Sequence, residues 1–393
     1  MKKILAMLLA LVMVLGLVAC GGTAPETTVA PPAESNSPES TPVESDPAVS
    51  EVEYKIAMIT DYGDITDQSF NQTTYEACKA FADENGIPFT YYKPNGDSTA
   101  ERVAMVDAAV VDGYNVIVMP GFAFGETLVE VADVYPEIKF IALDVAEGEG
   151  GFTATENVFS AVYQEELSGY MAGVAAVKLG YKHLGYLGGM AVPAVKRFGY
   201  GFLQGVDAAA KELGIVDQIK VEYIYGNQFY GDADITAVMD TWYGEKGVEC
   251  VFACGGGIWT SAAEAAAKVG GKVIGVDVDQ AAIIDAAYGE GMTVTSAMKG
   301  LAPTVNDVLT AILAGNWSDY AGKIETLGLV SADPEANYVQ IPMASTQFAE
   351  GFTAEDYAAL VAAMFDGTIA VSGDIAEFPV TEVAVEQHPA IKG

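Results

Sequence analysis

Short, almost unbroken apolar runs alternate along this chain with longer stretches of helical periodicity, and that alternation restricts the fold more than any other feature. The runs are Lys55–Thr60, Phe89–Pro94, Val116–Gly121, Phe140–Val145, His183–Gly188, Val221–Tyr225, Cys250–Cys254, Val273–Val278 and Thr293–Met298. Rich in Val, Ile, Ala and Phe rather than strictly alternating, they suit parallel strands covered on both faces. Between them, Ser69–Glu84, Thr99–Asp112, Ala161–Lys178, Val195–Leu213 and Ile258–Val269 read as helices. Asp67 or Ser69 is placed to cap the first of these, and Asn85-Gly86 to end it. Repeated strand–helix units of this kind imply an α/β fold with a doubly wound parallel sheet.

The pattern runs twice, once from Lys55 and again from about His183, each time opening with a strand, a Gly-containing loop and a helix. Two such lobes turn the carboxyl ends of their strands toward a shared crevice, where ligands bind and where hinge closure traps them. This points to the class I periplasmic-binding-protein fold. The expected N-terminal lobe is 53–157 plus 280–325, and the expected C-terminal lobe is 158–279 plus 326–393.

The beginning of the chain supports an extracytoplasmic binding role over an α/β enzyme. Lys2 and Lys3 precede the uncharged apolar run Ile4–Ala19. That run is short for a hydrocarbon core roughly 30 Å thick, and the combination reads as a signal peptide, residues 1–19. It ends in Val18-Ala19-Cys20-Gly21, which resembles a bacterial lipobox with Cys20 as the lipidation site. Residues 20–52, rich in Pro, Ser, Thr, Glu and Ala, are expected to be a disordered tether from the membrane. The formal charge of −35 rises in magnitude once Lys2 and Lys3 are removed, so nucleic acid is excluded as a partner by repulsion.

Cysteine and histidine are too sparse for the usual metal and nucleophile chemistries. Cys250 and Cys254 on one strand would lie about 13 Å apart, beyond disulfide reach. A metal site there lacks further ligands, because the only histidines are His183 and His388, so no metal and no cofactor are expected. Cys78, Cys250 and Cys254 read as buried thiols. No Gly-x-Ser-x-Gly elbow, His-rich motif or Cys/His pair supports a catalytic reading, although a hydrolase using acidic residues is an alternative.

The most informative stretch, Asp61-Tyr62-Gly63-Asp64-Ile65-Thr66-Asp67-Gln68-Ser69-Phe70-Asn71-Gln72, follows the first strand and opens the first helix. It brings a carboxylate, an aromatic and an amide to the cleft. Here the chain resembles the basic-membrane-protein family of substrate-binding lipoproteins, which includes purine nucleoside receptors. Lys139–Asp144, Gly188-Gly189 with Pro193, Phe198 and Gly201-Phe202, Gly275–Gln280 and Thr295–Lys299 resemble further blocks of that family, in order. Departures occur at Gly199, where the family usually has Glu, and around Tyr225–Asp234 and the glycine triplet, which match loosely.

The resemblance implies nucleoside capture for an ABC permease, with Asp61, Phe70, Asn71, Asp144, Asp277 and Lys299 as ligand contacts. Carboxylates suit a ribose diol, since each accepts two hydrogen bonds at once. Asp277 and Lys299 are candidates for the sugar, and Asp144 and Asn71 for the base edge. Phe70 offers a stacking face. A second aromatic from the other lobe is expected to complete a sandwich, with Phe229 first and Phe122 and Phe198 as alternatives. Asp279 has the chemistry of Asp277 but is expected to face the other way. Gly255-Gly256-Gly257 follows a strand without a P-loop Lys-Ser/Thr, so Gly256 is a candidate for close backbone approach to the ligand. The expected protein is a monomer anchored by lipid on the outer face of the cell membrane. A sugar or nucleobase ligand and a sensor role are the alternatives.

Overall fold

A computed structural model describes residues 53–393; the expected signal peptide, Cys20 and the tether lie outside the described residues. In chain order the first stretch runs β1 (Ile56–Ile59), α1 (Phe70–Asn85), β2 (Phe89–Tyr92), α2 (Thr99–Val111), β3 (Val116–Pro120), α3 (Phe124–Val131), β4 (Lys139–Leu143) and β5 (Val158–Tyr163). The second runs α4 (Glu165–Lys178), β6 (His183–Gly188), α5 (Pro193–Leu213), β7 (Lys220–Tyr225), α6 (Ala233–Asp240), β8 (Cys250–Cys254), α7 (Trp259–Ala267), β9 (Lys272–Asp277), α8 (Ala281–Tyr288) and β10 (Thr293–Lys299). After these come α9 (Leu301–Leu313), β11 (Lys323–Leu327), β12 (Val339–Gln340), α10 (Ala354–Phe365) and β13 (Ala384–Gln387).

Two sheets result. The first has the order β11-β5-β4-β3-β1-β2 and the second β12-β10-β9-β8-β6-β7-β13. All pairings are parallel except β10 with β12. Residue by residue, the strands of the first sheet feed two cores. Ile56, Val116, Val118, Ile141 and Leu143 join α1 and α9 on one face. Ala57, Ile59, Ile117, Met119, Phe140 and Ala142 join α2 and α3 on the other. Such strands need apolar residues at every position, which explains the unbroken runs. Cys78 is a buried free thiol in the first of these cores, and Cys250 and Cys254 are buried free thiols on β8 in the core of the second sheet.

Local chemistry sets the helix ends. Gly86 (φ 65°) closes α1 in the left-handed conformation, its N–H and that of Ile87 returning to the last turn. The cap at the other end is Asp67, whose carboxylate accepts from the N–H groups of Ser69, Asn71 and Gln72 at 2.9–3.0 Å. Ser69 makes no capping bond and is free for another role. In the second lobe α4 and α5 cross in close contact. A Cβ at Gly169, Gly173, Gly201 or Gly205 would overlap the backbone of the opposing helix.

The chain passes between lobes in three places, and these differ from the expected boundaries. Residues 158–163 were expected in the C-terminal lobe and partly in a helix, but they form β5 and pair with β4 in the first sheet. Residues 280–325 were expected in the N-terminal lobe. Of these, α8 and β10 stay with the second lobe through β9, and only α9 and β11 belong to the first. The crossings are therefore at Gln164, at Gly300 and between Gly328 and Tyr338. They are laced together: Gln164 N donates to Leu327 O (2.9 Å), Gly300 N to Tyr338 O (2.7 Å) and Tyr338 N to Gly328 O (3.0 Å). Apolar strands of either sheet look alike locally, so only pairing assigns them.

Candidate functional site

The carboxyl ends of the strands in the two sheets face one cavity of about 500 Å³. Asp61, Phe70, Asn71, Asp144, Phe229, Gly256, Asp277 and Lys299 all line it, and so do the alternative aromatics Phe122 and Phe198. Asp279 is not among the lining residues. It accepts from Ala281 N and Ser345 Oγ instead and caps the start of α8.

A buried cation organises the centre. Lys299, at the end of β10, is 6% exposed, with Nζ 2.5 Å from Asp144, 3.5 Å from Glu165 and 3.7 Å from Asp277. Its Nζ also lies 4.7 Å from the Phe70 ring centre and 5.7 Å from that of Phe198. Burial pulls the ammonium pKa down, but Asp144, Asp277 and Glu165 outweigh it and raise the net value. Glu165 is completely buried and bridges to Arg197 Nε on α5 at 2.5 Å. Three carboxylates and two cations thus form one lattice around the hinge crossing at Gln164. Asp144 and Asp277 end β4 and β9 with φ of 64° and 65°. This left-handed conformation costs about 1 kcal/mol even for Asp, and such outliers gather at functional sites.

Asp277 joins the lobes a second way. Its Oδ2 accepts from Ser69 Oγ at 2.6 Å, and nearby Gln280 Nε2 donates to Gln68 O at 3.1 Å. Burial pushes the Asp277 carboxyl above its ordinary range despite Lys299. Asp61 performs a turn-capping duty while lining the cavity. Its Oδ1 accepts from Tyr62 N and Gly63 N, both at 2.7 Å, and from Asn71 Nδ2 at 3.4 Å. Asn71 Nδ2 also donates to Asp67 at 3.2 Å. With the amide nitrogen committed to Asp61 and Asp67, the Asn71 Oδ1 is buried without a protein partner, as are Asp144 Oδ1 and Trp259 Nε1. Unpaired buried polar atoms cost about 1–3 kcal/mol each, so their gathering around one cavity marks where a polar ligand belongs.

The glycine triplet serves an aromatic ring. Phe229 O accepts from Gly257 N at 2.9 Å, and a Cβ at Gly255 would meet the Phe229 ring at 3.2 Å. A Cβ at Gly189 would overlap that ring outright. Gly256 takes φ 53°, opposite the Phe229 carbonyl. Within the protein the nearest neighbour of Gly256 on that side is the Phe229 carbonyl, and Gly256 itself lines the cavity.

Ser69, Glu165, Arg197 and Trp259 were not singled out from the sequence for this site. Ser69 lies inside the most informative motif, but its hydroxyl partner is distant in the chain. Glu165, Arg197 and Trp259 carry no local motif, and only the tertiary packing of α4, α5, α7 and β10 in the second lobe brings them in.

Comparison with known proteins agrees with this architecture. The family model described as ABC transporter substrate-binding protein PnrA-like (Bmp) matches residues 54–332. A Lactococcus lactis protein named ABC transporter nucleoside-binding protein BmpA is 30% identical over 58% of the chain, spanning 64% of that relative's own length. An uncharacterised lipoprotein of Pyrococcus abyssi is 25% identical over 70% of the chain and 67% of its own. A solved solute-binding protein of an ABC transporter system from Aeropyrum pernix superposes with a TM-score of 0.63. It shares 23% identity over 81% of the chain and 87% of its own length, which establishes the likeness of fold.

Proposed function

Because this chain belongs to the Bmp family of PnrA-like ABC transporter substrate-binding proteins, we propose that its cavity captures a nucleoside, a purine nucleoside first, for delivery to a membrane permease. As a member of that family it is a binding protein rather than an enzyme. The observation that carries the nucleoside reading is the pairing of ring faces with unpartnered polar atoms. Phe70 from the first lobe and Phe229 from the second line the same cavity as Asn71 and Asp144, whose Oδ1 atoms have no protein partner. A base on Phe70 takes the ring face that Lys299 leaves uncovered, and each base–aromatic contact is worth roughly 1–3 kcal/mol. Asn71 Oδ1 and Asp144 Oδ1 accept from an exocyclic amine or ring N–H, while Asp277 and Lys299 serve the ribose hydroxyls. The name of the Lactococcus lactis relative supports the same reading.

The cavity is lined by Asp61, Asp64, Asp67, Asp144 and Asp277 against Lys93 and Lys299. A phosphate adds charge of the disfavoured sign, so nucleoside monophosphates are excluded. Calorimetry with adenosine, guanosine, inosine, cytidine, uridine, ribose and the monophosphates tests this. Micromolar or tighter nucleoside binding is expected, with monophosphates at least about a hundredfold weaker, a difference of roughly 2.7 kcal/mol. Binding of ribose without any nucleoside would overturn it.

Cys20 is the proposed lipidation site, holding a monomer at the outer face of the cell membrane by a tether. The motif Val18-Ala19-Cys20-Gly21 and the lipoprotein name of the Pyrococcus abyssi relative support this. Among the described residues no helix is long and apolar enough to cross a membrane. Fatty-acid labelling that marks the natural chain but not Cys20→Ser is the expected result, and equal labelling of both refutes it.

A further inference from the structure

We propose that residues 384–392 form a strap that holds the Phe229 loop in its ligand-receiving position, resting on the reading of Phe229 as a ligand-stacking residue. The strap lies beyond the stretch that the family model matches, residues 54–332. It starts as β13, which pairs in parallel with β7 from Ala384↔Lys220 to Gln387↔Tyr223. The ladder then continues past the strand, with His388 N donating to Tyr223 O (2.8 Å) and Ile391 N to Tyr225 O (2.9 Å). Tyr225 is the last residue before the loop that carries Phe229.

Two fastenings secure the strap. The first is a clasp on β7. Glu222 is wholly buried and accepts from Lys246 Nζ at 2.7 Å, while its carboxylate lies 2.5 Å from His388 Nε2 and 3.2 Å from His183 Nε2. Both histidines of the chain therefore converge on one glutamate. Glu222, Glu386 and His388 have the geometry of a metal triad, but Lys246 Nζ stands 3.4 Å from both Glu386 and His388, and Lys220 Nζ bridges Glu222 at 2.6 Å and Glu386 at 3.1 Å, so lysines supply the cations.

The second fastening acts on the loop directly. Lys392 Nζ pairs with Asp232 at 2.6 Å and Asp234 at 3.0 Å, and Lys392 O accepts from Asn227 Nδ2 at 3.2 Å. Asp232 also accepts from Gln228 Nε2 at 3.0 Å and caps α6. Both shoulders of the loop, Asn227 and Asp232, are thus tied to the strap, with Phe229 between them. Asn227 holds φ 62°, a conformation that needs outside support. Lys392 is a positioning residue that acts on the ligand through Phe229.

Hydrogen exchange and calorimetry on the full chain, on Lys392→Ala, on Lys392→Arg and on a chain lacking residues 388–393 test the strap. Exchange at 226–234 in the ligand-free protein is expected to rise about tenfold without 388–393 and about threefold in Lys392→Ala, with Lys392→Arg near the natural chain. The threefold effect lies within what one partly exposed ion pair contributes, and the tenfold effect adds the loss of the His388 and Ile391 backbone bonds. Strands β1 to β5 should not change. Adenosine affinity should fall by similar factors. Unaltered exchange at 226–234 in both the shortened chain and Lys392→Ala overturns the strap. Raised exchange with unaltered affinity overturns its role at the ligand. If the natural chain binds no nucleoside, the nucleoside reading fails, and the exchange data still decide whether the strap holds the loop.

Discussion

Replacing Lys299 by Met tests the cation at the centre of the cleft. The ammonium faces Asp144 at 2.5 Å, Glu165 at 3.5 Å and Asp277 at 3.7 Å. At an effective dielectric of about 20, Coulomb's law gives about 6–7 kcal/mol for the first pair and about 4–5 for each of the others. Most of that gross attraction offsets the cost of taking the charges out of water. The net loss on removing one buried partner is about 3–5 kcal/mol, because the carboxylates are left uncompensated. An unfolding entropy of about 2.1 cal/mol/K per residue over residues 53–393 gives about 0.7 kcal/mol/K, hence a Tm drop of about 4–7 °C. The pH dependence has a definite sign. Burial already raises the Asp277 and Glu165 carboxyls with Lys299 present, and its removal raises them further. Groups with a raised folded pKa bind protons more tightly when folded, so their stabilising effect is lost as pH rises through the folded value. The deficit of Lys299→Met is therefore largest above pH 7 and shrinks toward pH 5, and adding Asp144→Asn recovers part of it. Scanning calorimetry at pH 5 and 8 reads this directly. A Tm change under about 2 °C at pH 8, or a deficit that grows on acidification, would refute the reasoning.

Two other perturbations probe neighbouring features. Gly189→Ala puts a methyl group into the Phe229 ring and should weaken adenosine binding about tenfold or more, with far less effect on ribose, as read by calorimetry. Glu166, beside the hinge crossing, is buried with Oε2 unpartnered, and burial pushes its carboxyl up to about 7. Its folded value exceeds the unfolded one, so it opposes folding increasingly as pH rises from about 4.5 to 7. Glu166→Gln should raise Tm more at pH 8 than at pH 5, by an energy on the order of 1–3 kcal/mol; an equal gain at both would count against a charged buried carboxylate.

Much of this molecule was legible in the residues alone, for a physical reason. Strand period, helix caps and turn glycines are local, so the unbroken apolar runs and Gly86 announced a doubly wound α/β chain. The motif Asp61–Gln72 and the strand-terminal Asp144, Asp277 and Lys299 marked the cleft, because side chains at the carboxyl ends of parallel strands share a crevice. Tertiary structure alone decided what depends on partners far apart in the chain. Residues 158–163 and 293–299 are both buried strands, and only their hydrogen-bond ladders put the first in one sheet and the second in the other. The Ser69 hydroxyl, a local cap by its position, turns across the cleft to Asp277 because Asp67 already satisfies the helix start. Glu165 and Arg197 carry no motif, yet burial makes them part of the lattice around Lys299. Residues 384–392, none of them buried, gain meaning only from the edge of β7 on which they lie.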